Sequence, residues 1–187
     1  MKSINIEITG ISPLLQNRFP TEDFGQNQSR ATKKVYVPEE EAKKKLYKNP
    51  KGEIYHPAEH IYQSILRAAT DFKFSGKKSY KNVMTSGIIV TPDEIPLISD
   101  KYEIDTRPVV IQRARVLCWR PKFNKWKLKF NITILDDENI SVPVLKEILE
   151  KAGTTKGIGD YRPRFGRFQV TSYQETIVKA NDGKKEV

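Results

Sequence analysis

Lys127-Leu128-Lys129-Phe130-Asn131-Ile132-Thr133-Ile134 alternates polar and apolar residues over eight positions. Period two marks a strand with one buried face, because successive side chains point to opposite sides of a sheet. What surrounds this strand decides the fold. Asp136-Asp137-Glu138-Asn139 reads as a turn, and Ser141 opens a helix carrying Leu145, Ile148, Leu149 and Ala152 at helical spacing. Gly153 is expected to end that helix, as a residue free to adopt positive φ. A glycine-rich loop and an alternating strand over residues 166–173 complete the C-terminal half.

The N-terminal half repeats the pattern. Ile4, Ile6 and Ile8 alternate with Asn5, Glu7 and Thr9, then Gly10 and Ser12-Pro13 stop the strand. His56-Pro57 opens a helix with its proline in the first turn. Ala58, Ile61, Ile65, Ala69 and Phe72 form its stripe, widened by Tyr62 and Leu66. A long strand is predicted from Arg107 to Trp119, turning around Pro121–Asn124 to pair with the opening segment. The order strand, helix, strand, strand, helix, strand predicts an α+β, ferredoxin-like (βαββαβ, RRM-like) fold with two helices behind an antiparallel sheet. One domain over residues 1–175 is expected, with insertions at about 16–55 and 73–100 and a disordered tail at 176–187. The first insertion is read with a short helix around Glu39–Leu46. The second is read as irregular, with an apolar piece Ile88-Ile89-Val90 cut off by Pro92.

The 187 residues include 33 Lys and Arg against 23 Asp and Glu, a formal charge of +10. That balance points to a polyanion, RNA or single-stranded DNA. Cys118 is the only cysteine, which excludes an intrachain disulfide and predicts a small core residue in a reducing compartment. The N-terminus lacks the apolar run of a signal peptide and no stretch suits a membrane span, so the expectation is a cytoplasmic protein without membrane contact. A Gly-x-x-x-x-Gly-Lys-Ser/Thr motif is absent, and no cofactor or metal is predicted.

In the loop, Gly157 and Gly159 precede Tyr161, Arg162, Arg164 and Arg167. Glycines let backbone N–H groups approach a ligand, while guanidinium forks suit phosphate. Strand alternation turns Arg113, Arg115 and Trp119 away from Ala114, Val116 and Cys118. It likewise turns out Lys127, Lys129 and Asn131 on the next strand, and Arg167, Gln169 and Thr171 on the last. Arg113, Arg115, Lys127, Lys129 and Arg167 are therefore expected on one sheet face with no acid among these positions. Trp119, Trp126, Tyr161 and Phe165 are each a base-stacking surface, worth ~1–3 kcal/mol per base, or a packing anchor.

The segment Gly157-Ile158-Gly159-Asp160-Tyr161-Arg162-Pro163-Arg164-Phe165-Gly166-Arg167-Phe168 resembles the glycine-rich loop of the RAMP superfamily, the repeat-associated proteins of CRISPR systems. Ile54–Ala69 is similar to the entrance of that superfamily's first helix, where a proline and small residues precede an apolar-apolar-Arg turn. The resemblance implies a ferredoxin-like core binding guide RNA as a backbone subunit, with Ser64, Arg67, Gly157, Gly159 and Arg162 as RNA contacts. It also implies partner subunits of the same type, or self-association. His56 and Glu59-His60 depart from the small residues usual at that helix entrance.

His56 and His60 are the only histidines. Their spacing admits a shared metal, but His-Pro-Ala-Glu-His is not the HExxH arrangement. By analogy with metal-independent RAMP endoribonucleases, either could act as general base, with Lys77, Lys78 or Tyr80 stabilising developing charge. Asp100, Glu103 and Asp105 form an acidic cluster, and in Asp105-Thr106-Arg107-Pro108 an acid beside a basic sheet edge could orient an arginine. The leading reading is a RAMP-type protein that binds RNA or single-stranded DNA without performing chemistry. An endoribonuclease and a protein-interaction module that joins or blocks a CRISPR effector are its rivals.

Overall fold

The computed structural model describes residues 1–19, 37–111 and 113–176. In chain order the elements are β1 (Lys2–Gly10), β2 (Leu14–Leu15), α1 (Pro38–Lys44), β3 (Tyr55–Pro57), α2 (Ala58–Ala69), β4 (Lys73–Ser75), β5 (Lys78–Ser79) and α3 (Tyr80–Gly87). There follow β6 (Ile88–Thr91), β7 (Glu94–Ser99), β8 (Glu103–Ile111), β9 (Ala114–Phe123), β10 (Trp126–Ile134), α4 (Val142–Lys151), a π-helical turn (Ala152–Lys156) and β11 (Phe168–Thr176). Residues 20–36 and the expected tail from Ile177 onward lie outside the described residues.

The main sheet is antiparallel, ordered β11-β1-β10-β7-β3 with β6 also beside β10. Taking β1, β6, β10 and β11 with α2 and α4 gives the ferredoxin-like βαββαβ order and its 4-1-3-2 strand arrangement. Register explains why this sheet forms. Ile4 lies opposite Ile132, Ile6 opposite Phe130 and Ile8 opposite Leu128, so both alternating strands present apolar residues to one side. Ile61, Ile65 and Ala68 of α2 and Leu145, Ile148 and Leu149 of α4 cover that side, all buried. Each large aliphatic residue contributes about 1.5–3 kcal/mol by leaving water.

The second core strand differs from the expectation. It is β6, continued by β7 beyond the cis Thr91–Pro92 bond. β6 pairs Asn131–Ile134 and β7 pairs Trp126–Leu128, so the region 73–100 is not irregular. Pro92 has no N–H to donate to a ladder, which splits the strand beside β10 into two short pieces.

The expected Arg107–Trp119 strand folds back on itself. β8 pairs β9 from Glu103↔Lys122 to Ile111↔Ala114, forming an arm with β2 at its base, Leu14 opposite Phe123. Arg113 has φ 70° at the reversal. Without glycine or asparagine at that position, the turn leaves little signal in the sequence. Val110, Val116 and Leu117 stand exposed along the arm.

Helix α1 lies where a short helix was expected. Gly153, by contrast, does not end α4. The chain runs on through the π-turn, and Gly157, at φ 67°, takes the left-handed position. Gly153 is small because a Cβ there would sit 2.7 Å from the Phe168 ring. Cys118 is half-buried rather than in the core, and the Lys45 ammonium donates to its sulfur at 2.9 Å. Among the described residues, no helix is long and apolar enough to cross a membrane.

Candidate nucleic-acid interface

The glycine-rich loop is held by its own backbone. Gly157 N–H donates to Ala152 O at 2.9 Å, Ile158 N–H to Gly166 O at 2.9 Å, Asp160 N–H to Leu15 O at 2.9 Å and Gly166 N–H to Pro13 O at 2.8 Å. Arg167 N–H donates to Ser12 Oγ at 2.9 Å. The amides of Gly157 and Gly166 are thus engaged internally rather than turned to a ligand. The glycines serve shape instead. A Cβ on Gly159 would lie 2.6 Å from Leu15 O, and one on Gly166 would collide with the Ile158 carbonyl.

The base of the arm clamps this loop. Arg107 Nε donates to both oxygens of Asp105, at 3.0 and 2.8 Å, so Asp105 orients Arg107 and raises its pKa, chiefly through that hydrogen bond. The guanidinium lies 5.0 Å from the Phe165 ring and 5.4 Å from the Tyr161 ring. Arg120 approaches Tyr161 at 5.8 Å. Buried Arg120 also touches Asp160 as an ion pair, Nε to Oδ2 2.7 Å, without the alignment of a hydrogen bond. Cation–π contacts of this kind contribute ~0.5–2 kcal/mol each. Phe165 is accordingly a buried packing anchor, and Trp126 is another, its Nε1 donating to Ser12 O at 2.8 Å. Tyr161 keeps 46% of its surface exposed.

Arg162 and Arg67 come together although ninety-five positions separate them. Half-buried Arg162 has its pKa lowered by burial first and by the Arg67 charge second, with Asp160 opposing. Arg67 projects from the exposed side of α2, the helix that packs on the π-turn. Neither guanidinium has an ion-pair partner among the described residues. Arg164 and Arg167 are exposed beside them, with Arg167 Nε donating to Pro163 O at 2.8 Å. Ser64, by contrast, is fully buried with its Oγ unpartnered, so it faces the interior and not this surface.

Behind the cluster sit the two histidines. His60 Nδ1 lies 3.2 Å from His56 Nε2, and Tyr47 meets both rings edge-on. His56 is wholly enclosed, and burial, His60 and Arg162 hold its pKa well below the usual imidazole value. Burial, then Arg162, lowers that of His60 too. Both rings are therefore neutral near pH 7. His56 has no surface from which to act on a substrate, and only half-buried His60 reaches the outside. Tyr80 packs against Phe74 at 5.1 Å, where α3 follows the β4–β5 hairpin that holds Lys78. The described residues contain no group of three or more His, Cys, Asp or Glu side chains able to hold a metal.

The single basic sheet face does not form. Arg113 and Arg115 lie at the end of the arm, in a different sheet from Lys127 and Lys129. Glu7, opposite Lys129 in register, accepts from Lys129 at 3.1 Å and forms a looser ion pair with Lys127 at 3.7 Å. Its pKa falls, first through the Lys129 hydrogen bond. The acid comes from β1, whose outward residues border those of β10.

Nothing among family models or curated proteins matches the chain. Solved structures do, among them a chain in the cryo-EM structure of the Type III-B Cmr-beta bound to cognate target RNA, with a TM-score of 0.51 and 8% identity. The match covers 93% of this chain and 60% of that one, so the present chain spans about three-fifths of its neighbour. The two share the antiparallel α+β fold described above.

Proposed function

We propose that the chain binds single-stranded RNA as a RAMP-type, CRISPR-related subunit without performing chemistry on it. Arg162 and Arg67 hold one phosphate between them, Arg164 and Arg167 continue the contact along the backbone, and exposed Tyr161 offers a stacking surface. Arg113 and Arg115 reach further RNA from the arm. Gly157, Gly159 and Ser64 support this surface from within. The observation that carries the reading is the pair Arg67–Arg162. Two like charges are held together, one of them half-buried, and neither has an ion-pair partner among the described residues. Such an arrangement costs stability unless an anion enters it. The neighbour's association with target RNA agrees with that anion being RNA, in a complex with other subunits.

The test is equilibrium binding of a labelled single-stranded RNA, with single-stranded DNA of the same sequence alongside. Reversing both charges, Arg67→Glu with Arg162→Glu, should weaken RNA binding by at least ~30-fold, because each charged hydrogen bond is worth ~1.5–3 kcal/mol. An unchanged isotherm rejects the site.

A further inference from the structure

The main sheet has one edge whose covering stops short. β3 lies along β7, Tyr55 opposite Pro96 and Pro57 opposite Glu94. Past Pro57 the chain turns into α2, and Ala58 N–H is tied to Asp93 O at 2.9 Å. Among the described residues the row that β3 occupies is therefore vacant alongside β6, whose only strand partner there is β10. In an antiparallel pair, every second residue directs its N–H and C=O away from its partner. On β6 these groups face a groove of about 520 Å³ whose walls include Tyr55, Pro57, Tyr62 and Ile89. Ile89 leaves 46% of its surface exposed there. Open strand edges with apolar flanks are where extended peptides add to sheets.

The rim supplies charge. Glu59, Asp93 and Glu94 border the groove, and among the described residues none has a Lys or Arg partner, Glu59 accepting only from Gln63 Nε2 at 2.7 Å. In a chain of net charge +10, three unpaired carboxylates around an apolar trough make a local negative site. They repel RNA and favour cationic side chains. We propose that the groove beside β6 receives an extended, Lys- or Arg-bearing peptide segment of a partner protein, added as a strand to the main sheet. Alternate apolar residues of that segment enter the trough, and its cations meet Glu59, Asp93 and Glu94.

The probe is the capped peptide Lys-Val-Lys-Val-Lys-Val-Lys, titrated into the ¹⁵N-labelled full chain. Amide signals of Ile88–Thr91 and Glu94 should shift together and saturate. Of two analogues, N-methylated at every Val or at every Lys, one blocks the edge facing β6 and should bind at least ~10-fold more weakly, having lost its ladder donors. Asp93→Lys with Glu94→Lys should weaken the parent peptide by a similar factor, with the thermal melt confirming the fold. Equal binding of both N-methylated analogues overturns strand addition without altering the protein. Shifts of the same amides with protein concentration alone overturn the proposal in favour of a second copy. Shifts of those amides with single-stranded RNA assign the groove to RNA and also overturn it.

Discussion

Replacing Arg162 by Gln separates function from stability in a way a merely structural arginine would not. In the free protein, burial and the neighbouring Arg67 both disfavour the Arg162 charge. Neutralising it removes a like-charge contact worth ~0.2–1 kcal/mol after solvent screening. For a chain of this size, the same energy raises Tm by roughly 1–4 °C. RNA binding should move the other way. Losing a charged hydrogen bond to phosphate costs ~1.5–3 kcal/mol, about 10- to 150-fold in Kd. One fewer neutralised phosphate lowers the slope of log K against log salt by about 0.7 for a single strand. Between 50 and 200 mM KCl that slope alone amounts to about 2.6-fold. Fluorescence anisotropy of a labelled RNA across this salt range reads affinity and slope, and calorimetry reads Tm. A lower Tm with unchanged affinity would refute the reasoning, because Arg162 would then be a stabilising residue with no anion to meet.

The remaining predictions concern the supports of that site. Lys127→Ala with Lys129→Ala should change RNA affinity by less than ~3-fold, since both lysines already pair with Glu7 on a face apart from the loop, and the Glu7 carboxyl should titrate closer to its ordinary value by NMR. Gly166→Ala should cost at least ~2 kcal/mol in urea denaturation, from strain at φ 73° plus collision with the Ile158 carbonyl. Acidification should destabilise the fold. Unfolded histidine takes up a proton near pH 6.5, whereas His56 and His60 resist it when folded, so below that pH the unfolded state binds more protons. Stability should fall with a slope of up to ~1.4 kcal/mol per pH unit for each histidine, and a flat profile between pH 7.5 and 5.5 would contradict their burial as neutral rings. A double-mutant cycle of Arg107→Ala and Tyr161→Ala should return a coupling of ~0.5–2 kcal/mol, whereas no coupling would separate the arm from the loop.

Those supports were unevenly legible in the sequence. The alternation of Ile4, Ile6 and Ile8 against Leu128, Phe130 and Ile132, together with two apolar helical stripes, was enough for the core fold, because burial dictates period. Ile88-Ile89-Val90 was visible as an apolar run, but Pro92 concealed its continuity with β7 across the ladder. The arm was read as one strand because its reversal uses Arg113 at positive φ, where composition gives no warning. The basic face failed for a different reason. Alternation assigns a residue to a side, but only register shows that Glu7 stands opposite Lys129. In the loop, the run of arginines was plain in the sequence, whereas the hydrogen bonds that occupy the amides of Gly157 and Gly166 depend on the carbonyls of Ala152 and Pro13. Arg67 and Arg162 were named as RNA contacts through a family likeness, and nothing in their spacing showed that they would lie close together. The buried face of Ser64 was not foreseen, although its place on the stripe with Ile61, Ile65 and Ala68 carried that signal.

The central claim is that the loop and α2 form one RNA-binding surface. Photocrosslinking of the intact chain to single-stranded RNA containing 4-thiouridine, followed by mass spectrometry of the linked peptides, tests it most directly. The account predicts crosslinks in the peptides that carry Tyr161–Arg167 and Arg67, lost together in the Arg67→Glu, Arg162→Glu protein. Crosslinks confined to the Lys127–Lys129 face, or an unchanged pattern in that variant, would contradict it.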